Sequence, residues 1–513
     1  MAERYALISV SDKSGIIGFA EELIKRGYKV ISTGGTAKRL KDAGLAVLDI
    51  KDFTGFPEIL DGRVKTLHPK IHGGILNIRT DKEHQKSAAE HRIKNIDLVA
   101  VNLYPFEQTV SKPDVSFGEV VENIDIGGPS MVRSAAKNHA FVTVIVHQDD
   151  YKIVLDEIDK YGDTTSETRL MLAAKAYAHT ALYDSVISGY LHRRLGVKFP
   201  KEYTVGGRIK QTMRYGENPH QEAVFYTVPL SSEAGPATAA QLHGKELSFN
   251  NIVDIHAATE LIKEFSAPAA VIIKHMNPCG VAVAENTEAA YDAALACDPS
   301  SAYGGIAAFK RDVDINLARK LSELFLEVII SPAFTDESLA FLTRKKNIRL
   351  MQIPLDGKRD NELDFKKITG GFLLQDRDLH VYEDFREANC PTKRKPTPEE
   401  LTSLTFAWKV AKHVKSNAIV YVRDTRTVGI GAGQMSRVDS SKIAAIKALS
   451  SLEGCVMASD AFFPFRDSVD EAAGRGITAI ASPGGSVRDA EVIAAADEAN
   501  IAMIFTGIRH FRH

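Results

Sequence analysis

Runs of consecutive apolar residues, separated by stretches with helical spacing, set out the elements of this chain. Tyr5 to Val10 predicts a buried strand, Ile16 to Arg26 a helix that Gly27 stops, and Lys29 to Ser32 a second strand. Gly34-Gly35 then turns the chain into a short helix, Thr36 to Ala43, closed by Gly44. Leu98 to Val101 and Phe141 to Val146 are apolar throughout, as parallel strands covered on both faces are. Strands and helices alternate, so this part predicts a doubly wound α/β domain. A long helix, Thr165 to His192, runs into Gly196-Val197-Lys198-Phe199-Pro200, which places the first boundary. The expected domains are 1–198 and 199–513.

The remainder is mixed. Strands Val271 to Ile273, Ile306 to Phe309 and Ala418 to Val422 alternate with helices, and Asn389 to Pro398 reads as a charged, proline-spaced linker. The next helix starts with Thr397 as N-cap, Pro398 at the first helical position and Glu400 completing a capping box. Halves of about 199–390 and 391–513 are expected. A faint echo, Lys274 to Val283 against Lys415 to Val422, hints at a duplication.

Composition narrows the class. A chain of 513 residues is too long for one core, and a hydrophobic fraction of 44% with 25% charged residues is that of a soluble globular protein. A net charge of −2 argues against a nucleic-acid binder relying on a broad basic face. The four cysteines, Cys279, Cys297, Cys390 and Cys455, make no CxxC pair, so a reduced, cytoplasmic protein without a disulfide framework or zinc site is expected. A basic-then-apolar leader is not expected, and no apolar stretch approaches spanning length. Neither a nucleic-acid nor a membrane partner is expected.

Lys274-His275 carries the sharpest chemical signal. It ends the run Ala269 to Ile273 and precedes Met276-Asn277-Pro278-Cys279-Gly280, read as the turn that ends the strand. Low dielectric and the neighbouring ammonium should favour a neutral imidazole, able to take a proton while the cation steadies an oxyanion. A solvated Lys and a capped His at an ordinary strand end fit the same residues.

In the first domain, Ser9-Val10-Ser11-Asp12-Lys13 and Ser32-Thr33-Gly34-Gly35-Thr36 join hydroxyls, glycines and helix-start amides into a phosphate cradle. Arg63 to Gly74 is dense in cations. Its His68 and His72 have helical metal-pair spacing, but Pro69 and the absence of a nearby acidic ligand speak against metal. Asn102-Leu103-Tyr104-Pro105 follows a strand, and Asp125-Ile126-Gly127-Gly128-Pro129 opens a helix carrying Arg133 and Lys137. These strand ends suit a phosphorylated small molecule. In the second domain, Arg214 to Gln221, Gly431 to Arg437 and Ser459 to Asp467 are further polar or aromatic turns, the last a slot for a flat heterocycle. Cys279 is expected to be a small buried residue rather than a nucleophile.

From Ser9 to the terminal Arg509-His510-Phe511-Arg512-His513, these motifs resemble those of the bifunctional purine-biosynthesis family that combines AICAR transformylase with IMP cyclohydrolase. The resemblance implies a methylglyoxal-synthase-like N-terminal domain and a C-terminal domain of two cytidine-deaminase-like halves without zinc. It implies formyl transfer from 10-formyltetrahydrofolate to the 5-amine of AICAR, then dehydrative closure to IMP, with no metal, in a homodimer. His275 would accept the proton and Lys274 would be its electrostatic partner. Arg214, Tyr215, Asn251, Gly304, Asn417 and Arg437 would surround the ribotide, with Phe462, Asp467, Ser486 and Val487 facing folate and Arg509 meeting an anion. Ser11, Lys13, Ser32, Thr33, Gly34, Gly35, Thr36, Arg63, Thr66 and Asn102 would hold the second nucleotide, with Lys65, Tyr104, Asp125 and Lys137 handling charge and protons. A nucleotide sensor and a phosphate-eliminating lyase are the alternatives.

Overall fold

The computed structural model describes residues 3–513 apart from 358, 361 and 381–383. The chain forms two compact units, Met1–Arg208 with Val228–Leu230, and Ile209–Thr227 with Ser231–His513.

In the first unit, β1 (Arg4–Ser9), β2 (Tyr28–Ser32), β3 (Val47–Asp49), β4 (Leu98–Val101) and β5 (Thr143–Ile145) form one parallel sheet in the order β3-β2-β1-β4-β5. Helices cover both faces, which is why Leu7, Ile8, Val99, Ala100 and Val144 are all fully buried. The order reverses between β1 and β4, leaving a crevice beyond their carboxyl ends. The loops that follow β1, β2 and β4 are the three polar clusters read from the sequence. Gly34 and Gly35 lie inside the helix Gly34–Asp42 rather than in a turn before it. Thr33 is its N-cap, so the open amides are those of the glycines themselves.

The second unit adds β6 (Arg208–Thr212) and β7 (Val224–Thr227) as a small two-stranded sheet. Its main sheet takes β8 (Ala240–His243), β9 (Ala269–Lys274), β10 (Asn277–Val283), β11 (Ile306–Phe309), β12 (Val328–Ser331) and β13 (Arg349–Gln352). After the separate hairpin β14 (Leu363–Ile368) and β15 (Gly371–Asp376), that sheet resumes with β16 (Ile419–Arg423), β17 (Arg426–Gly431), β18 (Val456–Ser459), β19 (Ala479–Ser482) and β20 (Ala502–Phe505). Among the described residues it has eleven strands, ordered β20-β19-β18-β16-β17-β10-β9-β11-β12-β13-β8.

That order is a duplication. β9 to β13 and β16 to β20 repeat one pattern, each strand beginning about 150 residues after its counterpart. The helices Phe249–Ile262 and Pro398–Ala411 repeat it too, each opened by a capping box. These two helices share one core on one face of the sheet, where Leu261, Leu404, Ala407 and Trp408 are buried. Each half keeps a separate core on the other face. The Lys/Asn echo in the sequence is not this repeat, since Lys274 ends β9 whereas Lys415 precedes β16.

Two further expectations change. Asn277-Pro278-Cys279-Gly280 is not a turn but the start of β10, with Pro278 at a register shift where the ladder can do without its N–H. The 389–398 segment is not a free linker. Asn389 accepts from the Phe505 amide at 2.7 Å, Thr392 is buried and takes the Met503 amide at 2.9 Å, and Arg394 pairs with Glu400 at 2.7 Å. It straps the edge strand β20, which would otherwise present open backbone groups.

Candidate active sites

In the first unit, Asn102 ties the crevice together. Its side-chain oxygen accepts the amides of Ser11 (2.5 Å) and Asp12 (3.1 Å), and its amide nitrogen donates to the Asp12 carbonyl at 3.0 Å. The loop after β4 thereby fixes the loop after β1. Ser32 and Thr36 play a structural part: their buried hydroxyls donate to the carbonyls of Ile8 and Val10, locking β2 and its helix onto β1. The Thr33 hydroxyl meets that of Ser9 at 3.1 Å. Gly34 and Gly35 stay exposed, and Lys65 and Lys13 lie against them: a Cβ on Gly34 would meet the Lys65 Nζ at 3.8 Å, and one on Gly35 the Lys13 Nζ at 3.9 Å. Two ammonium groups thus face the amino end of a helix, a cradle for a dianion.

Beside it, Asp125 accepts from the Gly128 amide at 2.8 Å and from that of Tyr104. Burial pushes its carboxyl up, against those two amides and the Lys65 ammonium. Thr66 packs on Gly127, where a Cβ would lie 2.4 Å from its hydroxyl. Tyr104 is 41% exposed and so reachable from solvent. Tyr183, from the long helix Ser166–Arg194, accepts the Asp125 amide at 2.9 Å, and nothing in its local sequence marked it. Arg63 lies outward in an ion pair with Glu122. Lys137 ends the helix Gly127–Lys137, whose start carries the Asp125 contacts, and that length spans roughly 15 Å.

His68 and His72 are occupied elsewhere. His68 caps the helix Pro69–Leu76 by accepting the Lys70 amide, and His72 meets the Ser134 hydroxyl at 3.1 Å. Among the described residues no group of three His, Cys, Asp or Glu side chains is placed to hold a metal ion.

In the second unit, Lys274 and His275 sit where β9 turns into β10. The turn has two residues, and both are left-handed: His275 at φ 53° and Met276 at φ 64°. That conformation suits a tight hairpin but is unfavourable for methionine. Lys274 donates to the Tyr303 carbonyl at 2.7 Å, next to Gly304, which is itself left-handed at φ 72°. His275 is exposed, so the low-dielectric setting expected for its ring is not what the fold provides. Cys279 is buried, which pushes its thiol up to about 12 and leaves it an inert packing residue.

Around this hairpin, Asn251 is the third residue of its helix and closes the capping box. Its oxygen accepts the Ser248 amide and its nitrogen donates to Glu327 at 3.1 Å. Arg214 and Tyr215 lie in an exposed loop, guanidinium over ring at 4.6 Å, tied to the same helix through Asn250 and Glu217. Asn277 bonds the Lys415 amide at 2.9 Å, joining the turn to the second half.

There, Asn417 donates to the carbonyls of Gln434 and Met435. Arg437 is buried, pairing with Asp460 at 2.8 Å and donating to the Phe462 carbonyl. Burial pushes the Asp460 carboxyl up and the Arg437 guanidinium down, and their attraction opposes both shifts. The guanidinium itself keeps its proton in a protein. The Phe462–Asp467 loop and the Ser486-Val487 turn meet through Arg488, which lies 4.8 Å over the Phe465 ring. An open cleft of about 970 Å³ beside this turn is lined by Pro483, Gly484, Gly485, Phe505 and Asn389. Arg509 is exposed and stacks on Phe511 at 4.3 Å, while the amide of its neighbour His510 donates to the Asp460 carbonyl. Asp254, which accepts the Met276 amide at 2.7 Å, Glu327, and Ser416, whose hydroxyl donates to Asp460, carry no signal in the motifs read from the sequence. Asp254 follows Asn251 at i+3 on one helix face, a spacing that could have flagged it.

A phosphate cradle at a doubly wound switch point, and a duplicated sheet offering a Lys-His hairpin, define a two-site α/β enzyme acting on a phosphorylated small molecule. Comparison with known proteins gives the family. Residues 15–130 match the MGS-like domain model and residues 135–447 the AICARFT/IMPCHase bienzyme model. The bifunctional purine biosynthesis protein PurH of Persephonella marina is 54% identical over 99% of this chain and 100% of its own length. That of Anoxybacillus flavithermus is 52% identical over the whole of both. The crystal structure of ForH, 38% identical, covers 36% of this chain and 98% of its own, with a TM-score of 0.33. The chain belongs to the AICARFT/IMPCHase bienzyme family, and is a bifunctional purine-biosynthesis enzyme with AICAR transformylase and IMP cyclohydrolase activities.

Proposed function

We propose that the transformylase reaction runs at the β9–β10 hairpin with 10-formyltetrahydrofolate as donor, and ring closure in the β1/β4 crevice, with no metal in either. Domains of 1–198 and 199–513 then carry cyclohydrolase and transformylase in turn. The observation that supports this most is the exposed imidazole of His275 beside an anchored Lys274, on a turn tied to both halves of the duplicated sheet.

The 5-amine of AICAR is conjugated with the neighbouring carboxamide and needs help to attack. As its nitrogen bonds the formyl carbon, His275 takes the amine proton and the Lys274 ammonium steadies the oxyanion. Collapse breaks the bond to the folate nitrogen, which leaves with a proton as tetrahydrofolate. A placed base contributes ~10²–10⁴-fold and an oxyanion donor about 10²–10³. Arg214 and Tyr215 hold the ribotide, and the Phe462–Asp467 loop with the Ser486-Val487 turn receives the folate. Asn251, Asn417 and Arg437 already spend polar atoms within the fold, so their part is to shape the pocket as well as to touch substrate.

In the crevice, Lys13, Lys65 and the glycine amides hold the nucleotide phosphate. The carboxamide nitrogen attacks the formyl carbon of its own molecule, forming the ring bond, and the former formyl oxygen leaves as water. Positioning supplies most of the rate. Asp125, its carboxyl raised by burial, exchanges the protons with Tyr104 beside it. Lys137, at the end of the helix that Asp125 opens, is the further cation of this set. A cytoplasmic homodimer is the expected setting. No described helix is long and apolar enough to cross a membrane.

The test is to give the protein AICAR and 10-formyltetrahydrofolate and follow nucleotides and folate together. Wild type should make IMP, Lys65→Ala should accumulate formyl-AICAR, and His275→Ala should release tetrahydrofolate about 10³-fold more slowly. Undiminished transfer by His275→Ala would overturn the hairpin reading.

A further inference from the structure

The turn that presents His275 is held by a residue outside the motif. Left-handed backbone at two successive residues with side chains is costly, and Met276 gains nothing locally from it, unlike the Gly that such turns favour at this place. Asp254, from the second turn of the helix Phe249–Ile262, reaches under the hairpin and accepts the Met276 amide at 2.7 Å, with the His275 amide also directed at it. Its carboxylate is half-buried. Asn277 closes the other side of the turn, bonding the His275 carbonyl at 3.2 Å and the Lys415 amide at 2.9 Å.

We propose that Asp254 is a positioning residue for formyl transfer: by accepting the turn amides it keeps His275 and Met276 left-handed, so that the imidazole faces the amine of the bound ribotide. This rests on the reading of His275 as proton acceptor. Without the clamp, the turn relaxes toward conformations that methionine prefers, and the imidazole moves off line. A misplacement near 1 Å costs about 10²-fold in rate while leaving substrate contacts elsewhere intact. The signature is therefore a loss in kcat with little change in KM for AICAR. Strain of this kind, held by its surroundings, is characteristic of reacting sites.

The experiment compares Asp254→Asn, Asp254→Ala and Asp254→Ala/Met276→Gly in the full chain, with cyclohydrolase turnover of formyl-AICAR as a control on the other unit and thermal melting as a control on folding. Asp254→Asn, which keeps one acceptor, should lose less than about tenfold in kcat, and Asp254→Ala about 10²-fold, with KM for AICAR within about twofold in both. Adding Met276→Gly should recover at least part of the Ala loss, because glycine holds the turn unaided. A kcat for Asp254→Ala within twofold of wild type overturns the proposal, as does a loss that appears only in KM or that glycine leaves untouched. If Asp254→Ala does not fold, Asp254→Asn decides alone: its kcat must fall at unchanged KM, and a kcat equal to wild type overturns the proposal. Transfer that survives His275→Ala would instead remove the reading on which it rests.

Discussion

The two halves of the duplicated sheet use one architecture for different ends, and their equivalent hairpins show where. In the first half the turn between β9 and β10 is His275-Met276, left-handed at both residues and clamped by Asp254. In the second the turn between β16 and β17 is Asp424-Thr425, left-handed at Asp424 alone, a residue that tolerates it. Ser403 occupies the helix position that Asp254 holds in the first half, counted from each capping box. The two successive left-handed residues and the half-buried carboxylate occur together in one half and not in the other. What the copies share, the capping boxes, the core helices and the strand order, is what the fold needs. What they do not share is what the proposed formyl transfer uses.

The sharpest way to break that comparison is to change the two turns in parallel. His275→Ala should lower transformylase turnover by about 10³-fold, whereas Asp424→Ala should change it less than twofold, read in the same formyl-transfer assay. Equal effects would mean that the hairpins are not functionally distinct.

Next in size is a difference in how the halves bury charge at equivalent positions just after β11 and β18. Lys310 is buried but its partner Asp356 is 74% exposed, so the pair is half in water. Asp460 and Arg437 are both buried. Asp460→Asn should therefore cost about 3 kcal/mol by leaving a buried guanidinium without its counter-charge, against under ~1 kcal/mol for Lys310→Met. Denaturant unfolding of the two variants reads the difference, and similar losses would contradict it.

A third comparison concerns the ends of the paired helices. Glu264, at the end of the first, accepts from Lys412 and His413 of the second, and Arg359 joins them. Burial pushes the His413 imidazole down to about 4, although Glu264 pulls the other way. Burial alone would raise the Glu264 carboxyl, but the His413 hydrogen bond and the surrounding cations hold it well below the usual range. For a histidine depressed in the folded state, the unfolded chain binds the proton first. Stability is thus complete above pH ~6.5 and falls as pH drops through about 6.5 to 4. Melting temperatures across that window should decline for wild type, and less steeply for His413→Gln; parallel curves would sink the assignment to His413.

Much of this was legible along the chain. Apolar runs without alternation gave the parallel strands, and Thr397, Pro398 and Glu400 marked a helix start that the structure keeps to the residue. The polar loops after β1, β2 and β4 do converge, because a doubly wound sheet gathers its strand ends whatever the loops contain. Three things were not legible. Pro278 reads locally as a turn, yet a register shift lets it begin a strand. Ser32 and Thr36 look like phosphate ligands, but their hydroxyls are used across the sheet by Ile8 and Val10, partners distant in sequence. Lys137 belongs by motif with Asp125, but only the fold shows that a whole helix, roughly 15 Å long, separates the two backbones. Pattern reports which residues are polar; only packing reports which of them are already bonded.

The seam at the middle of the large sheet has a consequence for symmetry. β10 and β17 are counterparts, and they pair antiparallel with each other: the Val283 amide meets the Thr425 carbonyl at 2.9 Å, and Thr427 bonds the Val281 amide. Two copies of one strand joined antiparallel are related by a local two-fold axis, the symmetry of an isologous contact. The large unit is thus organised as two like edges joined about a local two-fold within a single polypeptide, the arrangement an isologous dimer would have across its interface.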